Sequence, residues 1–229
     1  MTFHYAYLFR AEAYRADIQP LTVSIAAGDL GQLRERAWPA LARPDTAAFL
    51  SSLRYDAGDI LRGDADWEEE TLTSILLSAL LVDYLVPVPL GSDFRYVWRS
   101  YHHAMALLEV TGWDRNDVLR LFGGNSMCEL LRLPADHFRR GNMGSPNPLG
   151  WCDLMPGWLE PEAIRAYRDR LAGIDPSIEM AIKAIQGGHY RRWTAQGIRD
   201  AMRQSYDHLI GILDTALARN SHLLVTFES

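Results

Sequence analysis

The chain has 229 residues, of which 48% are hydrophobic and 23% are charged, and its formal net charge is −6. These values are ordinary for a globular protein, and the length is sufficient for one large core. The acidic balance argues against a general binder of nucleic acid or of anionic membranes, because both need a basic face. We therefore predict a soluble protein that has neither nucleic acid nor a membrane as its partner.

Two cysteines, Cys128 and Cys152, are too few for a disulfide framework and suit a reducing compartment. The N-terminal residues lack the basic start and continuous apolar core of a signal peptide. The most apolar stretch, 75–90, is interrupted by Asp83, Pro87 and Pro89, so it predicts a buried helix rather than a membrane span. The expected location is the cytoplasm.

Both ends of the chain show the alternating pattern of a β-strand. The odd-numbered positions of residues 3–9 are all aromatic and would share one face of a strand. Near the other end, Leu223, Val225 and Phe227 would share a face in the same way. A lone strand leaves its backbone unpaired, so we expect these two strands to pair in a small sheet with the helices packed on one face.

Between the two strands, start and stop signals predict a series of amphipathic helices. The helix that begins near Asp66 is expected to run to about Leu85, and Asp17 with Pro20 would begin a short helix through Ala27. The LTVSI run within residues 20–27 fits a strand equally well. The other helix starts are predicted at Asp29, Asp45, Ser92 or Asp93, Asp114, Ser126, Pro161, Asp175-Pro176 and Thr194.

These patterns predict an α+β fold that is predominantly α-helical. No internal repeat, low-complexity tract or linker divides the chain. We expect residues 1–229 to form a single helical domain with a small sheet made by the N-terminal and C-terminal strands.

One segment interrupts the helical pattern. Residues 139–161 read RRGNMGSPNPLGWCDLMPGWLEP and are rich in Gly, Pro and Asn, which favour turns. Loops longer than about 12 residues are usually functional or disordered. Trp151 and Trp158 supply apolar anchors, so we predict an ordered lid. Arg139 and Arg140 begin the segment and, together with Arg191-Arg192 and a tryptophan stacked nearby, would bind an anion or an acidic partner surface; solvated surface charges are the alternative interpretation.

His102, Cys152 and Asp153 are the candidate catalytic residues. His102 lies at the edge of a predicted helix, where it would serve as an acid/base group or a hydrogen-bond donor. Cys152 would need a nearby base to act as a nucleophile, and His102 fits only if the fold brings the two together. A boundary histidine and a packed, inert cysteine are the more frequent interpretations of such residues.

Motifs for metals and cofactors are absent from the sequence. It contains no HExxH motif and no cluster of Cys and His, and Gly123-Gly124 follows no strand in a phosphate-binding context. Ser126 in GGNSMC is interpreted as a helix cap rather than a nucleophile. We predict no metal and no cofactor. His102 and His103 are adjacent, and the remaining five histidines stand one to a segment, at His4, His137, His189, His208 and His222.

Three stretches resemble a known family. They are DIQPLTVSIAAGDLGQL near the N-terminus, GWLEPEAIRAYRDRL after the long segment, and YDHLIGILDTALARNSHLLVTF near the C-terminus. In these the chain resembles the YfbM-like family of small bacterial proteins of uncharacterised function. The resemblance implies a similar fold and brings no catalytic residues with it.

Two functions follow as hypotheses. The first is a non-catalytic protein-interaction or regulatory module, immunity-like in kind, that binds another protein through the 139–161 segment. It depends on the absence of an intact catalytic motif and on the tryptophans and arginines of that segment, which are common interface anchors. The alternative is a small-molecule-binding protein or a hydrolase-type enzyme with a pocket under the same segment. Enzymatic activity stays open, and the motifs favour its absence.

Overall fold

The computed structural model describes residues 4–53, 55–63, 69–88, 106–133, 156–176, 178–186 and 194–227. Within these ranges the chain is mostly helical, with a four-stranded antiparallel sheet between two groups of helices. The predicted class, a predominantly helical α+β fold with the terminal strands in a small sheet, is confirmed.

The strands of the sheet are β1 (His4–Phe9), β2 (Leu85–Pro87), β3 (Gly157–Leu159) and β4 (His222–Phe227). Their order in the sheet is β2-β1-β4-β3. The two terminal strands form the central pair, in a register that places Phe9 opposite His222. The outer strands β2 and β3 were not predicted, because the sequence indicated a helix up to the first and a loop through the second.

Helices cover both faces of the sheet, so the expectation that they pack on one face is wrong. Phe9 belongs to one core, whereas Ala6 and Leu8 belong to the other, and the exposed fractions of these residues are only 1%, 7% and 4%. The physical reason is visible in the sequence, where residues 5–9 are apolar or aromatic at every position. A strand that is apolar on both sides is stable when both sides are buried.

The N-terminal helices cover the Phe9 face of the sheet. Their buried residues form one core that also includes Phe9 and Leu224. Within it the hydroxyl of Tyr14 donates a hydrogen bond to the backbone oxygen of Leu77 at 3.0 Å. The helices are α1 (Ala11–Ile18), α2 (Thr22–Ala26), α3 (Gly31–Leu41), α4 (Pro44–Ser52), α5 (Ala57–Arg62) and α6 (Glu69–Leu81), with 3-10 turns at Gln19–Leu21 and Val82–Tyr84.

The C-terminal helices cover the opposite face. A second core joins Ala6 and Leu8 to residues of these helices. Arg168 donates two hydrogen bonds to the Asp214 carboxylate, at 2.6 and 3.3 Å, and so links two of the helices. They are α7 (Arg115–Gly123), α8 (Met127–Leu131), α9 (Pro161–Leu171), α10 (Glu179–Gln186) and α11 (Ala195–Ala218); residues 106–110 are also helical. Two of these helices contribute nothing to the second core: the buried residues of α8 belong to the first core, and those of α10 form a third cluster with Leu107, Ile198 and Met202.

Helix α6 is surrounded by other elements. Ile75, Leu76 and Leu77 are each 0% exposed although they point in different directions around the helix axis. A helix that is apolar on all sides is stable in the interior, as the sequence predicted for this stretch. The helix ends at Leu81, before the predicted Leu85, because the chain turns into β2. None of the described helices is both long and apolar enough to cross a membrane.

The predicted caps are confirmed at several helix starts. The side chains of Asp114, Ser126 and Thr194 each accept a hydrogen bond from a backbone N–H of the helix that follows. Pro161 is the first residue of α9, where its missing N–H leaves no hydrogen bond unmade. These helix starts could be predicted from the sequence, because each depends on a residue within or next to the first turn of its helix.

The prediction for residues 17–27 needs correction. Asp17 begins no helix; it lies near the end of α1 and forms an ion pair with Arg36 of α3. The open question over residues 20–27 is decided for helix, because Thr22–Ala26 forms α2. Helix α1 was missed because its N-terminus has no side-chain cap, and burial of its apolar face stabilises it instead.

Candidate functional site

Among the candidate site residues, Trp158 is the one that the structure places. It lies in β3, at the end of the 139–161 segment, and is half-buried. The described part of the segment begins at residue 156 and is ordered as a strand and a helix start, so residues 157–159 are not loop. The other candidates lie outside the described residues and stay predictions: His102, Arg139, Arg140, Trp151, Cys152 and Asp153.

Trp158 is fixed by hydrogen bonds to the turn between α7 and α8. Its backbone N–H donates to the oxygen of Asn125 at 3.1 Å, and its backbone oxygen accepts from Asn125 N–H at 2.7 Å. The indole Nε1–H donates to the backbone oxygen of Ser126 at 3.1 Å. Both the backbone and the ring of Trp158 are therefore held in place by this turn.

Glycines make this approach possible. A Cβ on Gly157 would lie 1.5 Å from the backbone oxygen of Gly123. A Cβ on Gly124 would lie 2.4 Å from the backbone nitrogen of Trp158, and the φ of Gly124 is +71°, a conformation that favours glycine. Gly124 directly follows the last residue of α7 and ends that helix, but nothing near it in the sequence indicates the contact with β3.

His222 packs against Trp158. Their ring centres are 5.6 Å apart, with an angle of 45° between the ring planes. His222 is the first residue of β4, and the antiparallel register places its side chain on the same face of the sheet as Trp158. We call Trp158, His222 and the turn 123–126 the Trp158 corner.

Two helices begin beside this corner. Helix α1 starts just after Phe9, which pairs with His222, and α9 starts just after Leu159, which pairs with Leu223. The first turn of each helix carries a glutamate, Glu12 in α1 and Glu162 in α9. Acidic side chains at these positions are favoured by the helix dipole. Glu12 and Glu162 therefore stand at helix starts that adjoin the corner.

The environment of His222 lowers its pKa below the ordinary value of 6.5, and burial is the largest cause. The carboxylates of Glu12, Glu160 and Glu162 raise the pKa, whereas Arg15 lowers it. Burial prevails, so the imidazole is neutral at pH 7. Sequence reasoning missed this residue, because only the strand register brings His222 to Trp158.

The corner combines an aromatic platform with negative charge. Glu160 and Glu162 are exposed, whereas Glu12, whose side chain is 62% exposed, forms an ion pair with Arg15 that offsets its charge. Such carboxylates attract cationic groups, and an indole ring can hold a guanidinium or ammonium through a cation–π contact. In the described part of the chain no group of His, Cys, Asp and Glu is arranged to hold a metal ion.

The opposite edge of the sheet, at β2, is surrounded by a different network. Arg10 donates a hydrogen bond to the backbone oxygen of Asp83, and its guanidinium lies 5.6 Å from the centre of the Tyr84 ring. Arg43 bridges the carboxylates of Asp83 and Asp45, at 2.6 and 3.2 Å. Positive and negative charges balance here, so this network fastens α4 to the turn before β2 and leaves little net charge.

Tyr84 belongs to the same network. Burial, and then a hydrogen bond with Asp17, raises the pKa of Tyr84 to about 12. The phenol therefore stays protonated at neutral pH and acts as a donor to the carboxylate. Its role is to join α1 to the turn before β2.

Comparison of the chain with protein-family models, with curated proteins and with solved structures found no match. The resemblance to the YfbM-like family therefore stays a prediction. Function must be argued from the corner itself.

Proposed function

We propose that this protein is a non-catalytic interaction module that binds another protein at the Trp158 corner. The observation that carries the proposal is the fixation of Trp158, whose backbone and indole N–H are bonded to Asn125 and Ser126. Tryptophan is among the residues that most often dominate binding energy. A rigid anchor loses little conformational entropy on binding, which favours affinity.

The charge around the anchor supports a basic partner segment. Glu12, Glu160 and Glu162 are the carboxylates that act on His222, and the chain as a whole carries a net charge of −6. Complementary charge accelerates association and discriminates against acidic competitors. Arginine fits best, because one guanidinium can stack on an indole and form bidentate hydrogen bonds with a carboxylate. Arg139 and Arg140, which would favour an acidic partner, lie outside the described residues.

Strand addition is not the mode of binding that we propose, because both sheet edges are occupied. At β3 the backbone of Trp158 is already bonded to Asn125. At β2 the pairing with β1 directs the backbone nitrogens of Leu85 and Pro87 away from β1, toward the open edge of the sheet. Leu85 N–H donates to the oxygen of Val82, and proline has no N–H. Side chains, rather than backbone, would make the contact.

Comparative capture tests the proposal. The immobilised protein is exposed to native cell lysate as wild type, as Trp158→Ala and as Trp38→Ala, and bound proteins are quantified by mass spectrometry. Trp38 is a suitable control, because it is 45% exposed on α3. We expect a partner that wild type and Trp38→Ala retain and Trp158→Ala loses. Binding should also weaken at about 1 M salt, where charges are screened beyond about 3 Å.

A second variant separates loss of the anchor from loss of the fold. Glu160→Gln with Glu162→Gln leaves Trp158 in place and removes two exposed carboxylates. It should weaken capture while circular dichroism stays unchanged. Capture that is equal in wild type and in both variants, or no protein enriched above an unrelated bait, would refute the proposal.

A further inference from the structure

The outer side of helix α9 carries charges of both signs in a fixed order. The helix spans Pro161–Leu171, and its buried side faces the second core. At about 100° per residue, its exposed positions fall within an arc of about 140° around the helix axis. In chain order they are Glu162, Arg165, Ala166, Asp169 and Arg170. The arc therefore holds two carboxylates and two guanidinium groups, and these charges sum to zero.

The stability of the helix alone does not explain this order. The helix dipole favours Glu162 in the first turn, but it disfavours a carboxylate such as that of Asp169 in the last turn. Arg165 and Asp169 are four residues apart, in the less favourable orientation for a pair within one helix. Within the described ranges neither of these two side chains forms an ion pair. Both charges are exposed and available to another molecule.

The order is complementary to itself when a second copy of the helix runs in the opposite direction. With a two-fold axis near Ala166, Arg165 of each copy approaches Asp169 of the other, at an offset of about 3 Å along the helix that these side chains can span. Glu162 of each copy stands level with Arg170 of the other. A parallel copy would instead place each charge beside its like, which is unfavourable. The small side chain of Ala166 lets the two helices approach closely at the axis.

We infer that two copies of this protein associate through their α9 helices as an antiparallel, two-fold symmetric dimer. Such an interface uses the same patch on both subunits, so every contact occurs twice. A second copy of the chain fits this patch because both signs of charge then meet their opposites, whereas a purely acidic or purely basic partner would satisfy only one sign.

Contacts beside the exposed arc hold α9 in place for this interface. The guanidinium of Arg170 lies 3.9 Å from the centre of the Trp113 ring and donates a hydrogen bond to Asp117 at 2.6 Å. It keeps further N–H donors for a carboxylate of the second copy. A preformed surface loses little conformational entropy on association. Because Asp117 already shares the charge of Arg170, the pair of Arg165 with Asp169 should contribute more to the dimer.

The dimer is expected to be weak. A helix of 11 residues is about 16 Å long, and a contact of that length buries less than the roughly 1,200 Å² of standard interfaces. The net charge of −6 on each copy opposes association over long distances. At about 0.15 M salt, where the screening length is about 8 Å, this repulsion is reduced more than the attraction between groups in contact. We therefore expect a dissociation constant in the micromolar range or weaker.

Sedimentation velocity of the full chain, loaded from micromolar to millimolar concentration at about 0.15 M salt, tests the dimer. We expect wild type to shift from monomer to dimer across that range. Arg165→Glu and Asp169→Arg each bring like charges together at two symmetric contacts, so each should weaken the association by at least about tenfold. An equal mixture of these two variants restores opposite charges at both contacts and should associate again. Recovery in the mixture cannot come from a change in folding.

Arg34→Glu is the control, because it makes the same change in net charge on the exposed side of α3, which packs on the other face of the sheet. It should associate as wild type does. A wild type that stays monomeric, single variants that associate as wild type does, or a mixture that does not recover would overturn the inference. The proposed function shares Glu162 with this face but is tested through Trp158, so either proposal can fail alone.

Discussion

The β3 edge and the β2 edge of the sheet are both closed, but by different kinds of contact. At β3 the chain passes so near the turn 123–126 that only glycine fits at Gly124 and Gly157. At β2 the closing groups are charged side chains, proline and a hydrogen bond from Leu85 N–H within its own segment. The contact between backbones at β3 leaves no room for an added atom. The exposed side chains at β2 can change their rotamers at little cost in free energy. The two edges should therefore differ sharply in their response to substitution.

The sharpest test of this difference is Gly157→Ala. Its new Cβ would lie 1.5 Å from the backbone oxygen of Gly123, which no side-chain rotation can relieve. We expect a loss of at least about 3 kcal/mol in the free energy of unfolding, at the upper end for single substitutions. Urea denaturation followed by circular dichroism measures it.

Gly211→Ala is the matched control. It makes the same chemical change inside α11, where no atom lies within 4 Å of the added Cβ. Replacing a helix-interior glycine by alanine should stabilise the protein by about 0.5–1 kcal/mol. If both variants were equally mild, the β3 edge would be looser than the contact distances imply.

The same contrast explains what the sequence could predict. The caps at Asp114, Ser126 and Thr194 and the terminal strands were predictable, because their signals lie within a few residues of one another. The contact of Gly157 with the turn 123–126 was not, because it joins segments distant along the chain. A glycine next to a turn has a sufficient local explanation, so nothing in the pattern indicates its second role.

The candidate site shows this limit most clearly. Trp158 was singled out from its sequence context, and the structure places its ring half-buried and hydrogen-bonded to Ser126; its role in binding a partner stays a prediction. His222 was one of several scattered histidines, and only the pairing of β4 with β1 and β3 brings it to the indole. Glu12 and Glu160 join it through the same register. Strand pairing, which sequence periodicity leaves undetermined beyond the two termini, assembles the corner.

A smaller effect is expected where the β3 edge depends on a single side-chain bond. Trp158→Phe keeps an aromatic ring and removes the indole N–H that donates to Ser126 at 3.1 Å. The loss should be about 1 kcal/mol, the usual net value of one hydrogen bond. Denaturant titration measures it, and the backbone bonds to Asn125 should persist. A loss near that of Gly157→Ala would mean that the ring, rather than the glycine contact, closes this edge.

The smallest effect is expected at the β2 edge, for Asp83→Asn. This substitution removes the charge that faces Arg43 at 2.6 Å, but the two side chains are 52% and 35% exposed. Solvent screens such a pair, so the loss should not exceed about 1 kcal/mol. It should become smaller at about 1 M salt, where the screening length is about 3 Å. Arg43 keeps its second partner, Asp45, which limits the loss further.

Measurement of the free energy of unfolding at low and high salt checks both the size of the loss and its dependence on salt. A large loss that salt does not reduce would mean that this edge is as rigid as the glycine contact, and the contrast between the two edges would be wrong.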